Sequence, residues 1–343
     1  MNWKKIILCT FISLSFVHAK AQDPHFSQYF AAPLTVNPAL TGKFDGDVRA
    51  NVNFRNQWSN IDNGYKTFTG SVDMPILKNR LDDRDRLAVG ISGYTDNSAQ
   101  GAVNFNYFSF SSAFHKGLDE DGLQQIGLGI QATYANMLID PSRLRFADQI
   151  TPLGFTNVSQ DFAGVNSTLK NHYIDMNAGL LYSYSTSENN NFYIGASMYH
   201  INRPKQNFTI GDFQVSPRYT FHGGGFFPIG DQKYLHVSAL HSEQGGQKET
   251  LVGGILQFQL SDPYNTLNNA NFFAGGWVRF NDAIIPYIGL EYYNVRVGIT
   301  YDVNTGSSKT VAQGRNGLEL SLQYLFKKEN GSSNYLRKPN PWY

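Results

Sequence analysis

The chain has 343 residues, with 28 lysines and arginines against 27 aspartates and glutamates, a formal net charge of +1. So even a balance excludes the basic excess of a nucleic-acid binder. Aromatic residues are 14% of the chain, glycines number 32 and charged residues are only 16%, with the charges clustered between apolar runs.

In chain order the first element is a leader. Lys4 and Lys5 form a basic start, Ile6 to Val17 is an apolar core, and Ala19-Lys20-Ala21 fits the small-x-small cleavage rule. The core is too short to span a bilayer as a mature helix, so residues 1–21 are read as a signal peptide cleaved after Ala21. Cys9 is the only cysteine and lies inside that core. The mature chain therefore has neither disulfides nor thiolate metal sites. Without Lys4, Lys5 and Lys20 the basic residues fall from 28 to 25, against 27 acidic ones, a net of −2.

Residues 22–46 follow, and they are unlike the rest of the chain. Pro24, Pro33 and Pro38 bias their predecessors Asp23, Ala32 and Asn37 away from the helical region, so the segment is expected to be extended. Phe26, Tyr29, Phe30 and Leu34 make it too apolar for water, and its extended N–H and C=O groups need partners. Only a few residues separate it from the first strand. It is therefore expected to pack into or across the periplasmic mouth of the fold. There Asp23, Ser27, Gln28 and Asn37 would bond to inward residues such as Arg49 and Arg55. A strap docked on a partner is the alternative.

From Asp47 onward the period is two. Val48, Ala50, Val52 and Phe54 alternate with Arg49, Asn51, Asn53 and Arg55, the mark of a strand with one apolar face. Similar runs are Tyr65 to Met74, Leu87 to Tyr94, Val103 to Phe114, Ile126 to Tyr134 and Ile174 to Tyr184. They continue with Phe192 to His200, Tyr219 to Phe227, Tyr234 to Leu240 and Leu251 to Leu260. Phe272 to Phe280, Ile284 to Tyr292, Val295 to Tyr301 and Leu318 to Phe326 complete fourteen. An even number of runs near ~10 residues suits a transmembrane barrel. Glycines within them (Gly127, Gly129, Gly275, Gly276) suit bends of its wall. The barrel is expected over residues 47–327, with a periplasmic tail at 328–343.

Outer-membrane barrels keep periplasmic turns short and external loops longer. With a periplasmic N-terminus, the long connections Met137 to His172, Asn202 to Arg218 and Asp302 to Gly317 are odd-numbered and hence external. Aromatics crowd the run ends (Trp58, Tyr184, Tyr199, Phe227, Tyr292, Phe326) as interfacial girdles do. A soluble sandwich would expose this apolar surface. Leu318, Leu320, Leu322 and Tyr324 are expected to face lipid.

The charges of the late strands, Arg279, Glu291, Arg296, Asp302 and Glu319, are too costly on a lipid face and should point inward with Arg49 and Arg55. They would form a network that braces the barrel, or line a wide pore. No enzyme is expected. His236 and Ser238 share a strand face but lie too far apart along it for the hydrogen bond nucleophilic catalysis needs. Asp82 to Arg86 and Asp119 to Asp121 lack calcium-loop spacing. No cofactor or metal is expected. The Met137 to His172 loop carries Arg143, Phe146, Phe155 and Phe162, the aromatic-plus-arginine makeup of interface cores. It is expected to contact a protein partner or to fold as a lid over its own barrel.

The opening QDPHFSQY with NPALTG (Gln22 to Gly42), FYIGASMYHINRP at Phe192 to Pro204, AGGWVRFNDAIIPYIGLEY at Ala274 to Tyr292, VGITYDVNTGS at Val297 to Ser307 and GLELSLQYLF at Gly317 to Phe326 resemble the PorP/SprF family. These are outer-membrane barrels of type IX secretion and gliding motility. The family includes a core component and many paralogues that each serve one secreted partner. The resemblance implies an outer-membrane protein that helps secrete, receive or anchor a cargo with a type B C-terminal signal, such as a cell-surface adhesin. Periplasmic secretion components are further implied partners. The alternatives are a channel for hydrophobic or small solutes, by fold analogy, and an outer-membrane hydrolase.

Overall fold

The computed structural model describes residues 23–327 except 59–63, 79, 145, 147–148, 152–153, 157–167, 188–189, 207–212, 261–269 and 306–316. The expected leader and the expected tail lie outside the described residues. Fourteen antiparallel strands close into a barrel. They are β1 (Val48–Gln57), β2 (Tyr65–Ile76), β3 (Arg86–Ser98), β4 (Val103–Gly117), β5 (Gln124–Ile139), β6 (Leu169–Ser187) and β7 (Asn190–Tyr199), then β8 (Arg218–Gly230), β9 (Lys233–Gln244), β10 (Gln247–Gln259), β11 (Ala270–Arg279), β12 (Ala283–Tyr292), β13 (Val295–Asn304) and β14 (Gly317–Phe326). Each pairs with its sequence neighbour, and β1 pairs with β14 from Val48↔Phe326 to Gln57↔Gly317, so the barrel itself has no open edge.

The alternation read from the sequence is the alternation of the wall. In β14 Leu318, Leu320, Leu322 and Tyr324 are exposed while Glu319, Ser321 and Gln323 are buried. The exposed set continues around the barrel through Leu128, Ile130, Ile194 and Ile288, an apolar belt that only lipid covers well. The connections at 140–168, 200–217 and 305–316 all leave the rim opposite the start of β1, here the far rim. The parity is not strict. The connection at 260–269 leaves the near rim, while β9 and β10 meet at the far rim in the tight turn Gly245–Gly246. β4, β5 and β6 are the longest strands and outgrow a bilayer's ~10 residues. Above the far rim they carry a small apolar cluster of Ala135, Met137 and Tyr173.

The barrel interior is filled by the chain's own N-terminal segment, and here two expectations are corrected. The segment is not extended throughout: it makes three 3-10 turns at Tyr29–Ala31, Pro33–Thr35 and Pro38–Leu40. Asn37 is extended as expected (φ −154°, ψ 121°). Pro33 and Pro38, however, each open a turn, because proline's fixed φ suits the first helical position and its missing N–H is not needed there. Nor does the segment stop at the mouth. Asp47 N–H bonds Phe326 O at the near rim, whereas Asp23 N–H bonds Gln244 Oε1 at the far rim, so the segment runs the full height of the lumen. Closing a short tether onto the near wall was the wrong constraint. The interior of a closed barrel is the one place where these backbone groups and aromatic rings find partners together.

Placing an arginine at Leu322, in the middle of the lipid-facing belt, is expected to cost about 2–4 kcal/mol of folding free energy. Leu322→Ala should cost less. Urea titration of folding into lipid vesicles measures both.

Candidate functional site

The site is the interface between the wall and the segment Asp23–Phe44, in which Phe26 to Leu34 are all buried. Four groups of wall residues hold it.

The first is a charged knot. Glu319 on β14 accepts the backbone N–H of Ser27 and of Gln28, each at 2.8 Å, the amide of Asn53 at 2.8 Å and Arg55 Nη1 at 3.1 Å. Ser27 Oγ donates to Asp302 at 2.7 Å and accepts from Arg55 at 2.5 Å and Arg279 at 2.7 Å. Arg55 and Arg279 also reach Asp302 Oδ2 at 2.8 and 3.0 Å. Two guanidinium groups and two carboxylates thus meet around one serine, and Arg279 reaches Glu249 at 2.8 Å as well. Alternation places their side chains inside, and barrel closure brings β1 beside β13 and β14. Gln28 completes the knot by donating to Glu319 O at 3.0 Å and accepting from Ser321 Oγ at 2.6 Å.

The second group is a slot for the Asn-Pro-Ala turn. Gly129, Gly179 and Gly195 face inward on β5, β6 and β7. A Cβ on Gly179 would lie 1.8 Å from Asn37 Oδ1, and one on Gly129 2.2 Å from Ala39 N. Asn37 donates to Leu180 O at 3.0 Å, lies 2.9 Å from His222 Nε2, and caps its own turn by accepting Ala39 N–H at 2.8 Å. Gly127 and Gly129, read from the sequence as wall bends, instead make room for His115 and for Pro38 and Ala39. Above the slot, Tyr29 and Phe30 nest against Trp277 and Tyr287, with Phe30 stacked on Trp277 at 5.0 Å. The Tyr29 hydroxyl and the Trp277 indole both donate to Ser238 Oγ.

The third group clasps the segment at the near rim. Arg49 pairs bidentately with Asp73 at 2.9 and 3.0 Å and donates to Leu40 O, while Gly42 N–H donates to the same carboxylate at 2.7 Å. Gly42 takes φ +69°, and a Cβ there would sit 2.1 Å from Ala88 Cβ. Lys43 reaches Gln125 and Ser183, both at 2.7 Å.

The fourth group is a clasp at the far rim. Asp23 Oδ2 lies 2.8 Å from His200 Nε2 and 3.1 Å from Arg218 Nη1, and His200 Nδ1 lies 3.0 Å from Asp175. Burial alone would lower the His200 pKa, but Asp23 and Asp175 outweigh it and raise it to about 9. Burial likewise works to raise Asp23, yet His200 and Arg218 hold it well below the usual carboxylate range.

Of the residues singled out from the sequence, Ser27, Gln28, Arg55, Arg279, Asp302 and Glu319 converge in the knot. Arg49 is separate at the near rim, and Asp23 meets His200 and Arg218 rather than Arg49 or Arg55. Pro24 and Phe26 line a recess of about 40 Å³ with His25, Arg218 and Glu249, and Pro38 fills the slot. Glu291 and Arg296 pair with each other near the near rim, where Arg296 lies 4.2 Å over Phe273. In the long loop, Arg143 donates to the carbonyls of Gln100 and Gly101 on the β3–β4 turn. Phe146 N–H donates to Gln149 Oε1 at 2.8 Å. Phe155 lies in a two-residue ladder with Ile150, and Phe162 lies outside the described residues. Asp73, His200, His222 and Trp277 were missed. Their signal was alternation, which puts Asp73, His222 and Trp277 inside. His236 Nε2 lies 2.8 Å from Gln257 Oε1 and Ser238 receives Tyr29, so both halves of that pair are engaged elsewhere.

A family model described as type IX secretion system membrane protein PorP/SprF matches residues 18–324. Among solved structures, the Pseudomonas putida toluene transporter TodX aligns with a TM-score of 0.52 at 8% identity, over 89% of this chain and 98% of that one. The Ralstonia pickettii toluene transporter TbuX gives a TM-score of 0.49 at 11% identity, over 86% and 94%. A Pseudomonas aeruginosa FadL homologue gives 0.46 at 9%, over 84% and 93%. At such identities the likeness is one of fold. No curated protein matches the chain.

Removing one partner of a buried, fully bonded charge group costs about 3–5 kcal/mol. Glu319→Gln turns an amide NH₂ toward groups that are themselves donors. It should release the segment to protease while the barrel itself stays resistant and heat-modifiable on gels. Loss of the whole barrel, or no change in cleavage, would count against the knot as the anchor.

The far-rim clasp should depend on pH. A raised His200 contributes fully below its ordinary value of 6.5 and loses that contribution as pH rises through about 9. The depressed Asp23 contributes fully above about 3.8 and loses that contribution progressively as pH falls from there through its own lowered value. A spin label on His25→Cys should therefore be more mobile at pH 9.5 than at pH 6, and the difference should vanish in a His200→Gln background.

Proposed function

The chain belongs to the PorP/SprF family of type IX secretion system membrane proteins, and from that premise we propose that it is a plugged outer-membrane barrel that receives or anchors a secreted protein at its external face. The near rim is the periplasmic one and the far rim external, in keeping with the three long connections. The single observation that supports anchoring over passage is the occupied lumen. The segment from Asp23 to Phe44 fills it from rim to rim, held by buried wall carboxylates at both Glu319 and Asp73. A folded or extended cargo chain has no room beside such a plug. The cargo is a protein with a type B C-terminal signal, such as a surface adhesin, and periplasmic secretion components deliver it.

Contact falls to the external connections, chiefly residues 140–168. Arg143 serves that loop by tying its root to the β3–β4 turn, which leaves the stretch beyond it to meet the partner. Channelling of hydrophobic solutes is the competing reading, on the strength of the fold shared with TodX. The recess beside His25 measures about 40 Å³, small against the ~150 Å³ cavity that admits benzene in an engineered protein.

Shortening the 140–168 connection should abolish cargo display at the cell surface while the barrel remains heat-modifiable. Undiminished display would remove the loop from the mechanism. Replacing Phe26 and Tyr29 together with serine strips two plug anchors. Liposomes holding that variant alone should leak small sugars that the unaltered protein retains. Equal retention would mean that the segment does not seal the lumen.

A further inference from the structure

The inner wall is richer in apolar side chains on one side than on the other. On β7–β12 it presents Tyr193, Leu240, Leu251, Ile255, Trp277 and Ile285 to the segment. From β12 round through β14 and β1 to β6 the wall carries a continuous row of polar side chains at directly paired positions. Glu291 on β12 faces Arg296 on β13, which faces Gln323 on β14 and then Asn51 on β1. The row continues from Asn51 to Ser71, from Ser71 to Ser92 and from Ser92 to Ser109. It passes to Thr133 on β5 and ends at Asp175 on β6. Strands of a barrel tilt against its axis, so a row perpendicular to them climbs. Glu291 and Arg296 lie at the near-rim ends of their strands, while Asp175 reaches the far-rim clasp through His200.

We propose that this row is a hydrated staircase that conducts water between the two rims while the plug is in place.

Three features carry the inference. Long side chains close the lower steps directly: Gln323 donates to Asn51 Oδ1 at 2.9 Å, and Asn51 to Ser71 Oγ at 3.3 Å. In the middle, Ser109 Oγ and Thr133 Oγ1 meet at 2.8 Å, but the two steps below them stay open. Opposed positions on paired strands stand ~5 Å apart at Cβ, and no hydrogen bond joins Ser71 to Ser92 or Ser92 to Ser109. One water spans such a gap. These same residues, deep in the wall, keep 9%, 7% and 7% of their surface open to solvent, where their neighbours Ser111 and Asn53 keep 1% and 0%. Finally, Gln323 Oε1, Asn53 Oδ1 and Asp175 Oδ1 are buried oxygens on or beside the row that no protein group bonds. Buried oxygens of that kind are satisfied by internal water. The conduit is independent of cargo binding, and its hydroxyl and amide lining suits water rather than hydrocarbon.

The test uses the whole protein in phosphatidylcholine vesicles, read by osmotic shrinkage. Ser92→Cys is the probe: the single native cysteine, Cys9, lies in the leader, so the mature variant has one thiol, and the exchange is small enough to leave the wall intact. Vesicles with unaltered protein or with the unlabelled variant should shrink faster than empty ones and retain sucrose. A small, water-soluble methanethiosulfonate should label the thiol in the folded barrel and remove the protein-dependent part of the rate. Shrinkage no faster than that of empty vesicles overturns the proposal. So does a thiol that stays unlabelled in the folded barrel, or labelling that leaves the rate unchanged.

Discussion

A carboxylate that accepts two successive backbone N–H groups is the interaction on which the rest of this structure depends. Glu319 takes Ser27 and Gln28 in this way, and it does so from inside a wall whose outer face is lipid. A buried charge is tolerable only when paired and fully bonded. Arg55 and Asn53 supply the pairing from β1, which lies beside β14 only because the barrel closes. Closure, charge burial and plug docking are therefore one event. The seam between the first and last strands is also where the plug is tied.

The other anchors repeat the logic with different chemistry. At the near rim Asp73 serves Gly42 N–H and Arg49 together. In the middle the wall gives way as well as bonds, its glycines opening a slot for Asn37 and Pro38 while Leu180 O accepts the Asn37 amide. The aromatic nest around Trp277 supplies apolar burial on one side only.

Much of the candidate site was legible in the sequence because alternation is strict. Arg279, Asp302 and Glu319 could be sent inward from their strand positions alone, and the N-terminal polar residues marked as needing partners are bonded. What was misread shares a cause. The prolines were taken to govern the whole segment, although Pro33 and Pro38 restrict their predecessors and then each open a turn. His200 was not singled out, because its burial beside Asp23 depends on a plug that strand patterns do not reveal.

The sequence by itself determined the wall: the strand number, which residues meet lipid and which charges turn inward. A strand's facing repeats every two residues, so each position is set by near neighbours. Only the tertiary structure decided the course of the N-terminal segment and its partners. Ser27 and Glu319 are separated by 292 positions, and no local period links them. Their meeting is settled by the closure of β1 on β14, which sets the height and diameter of the space that the segment must fill.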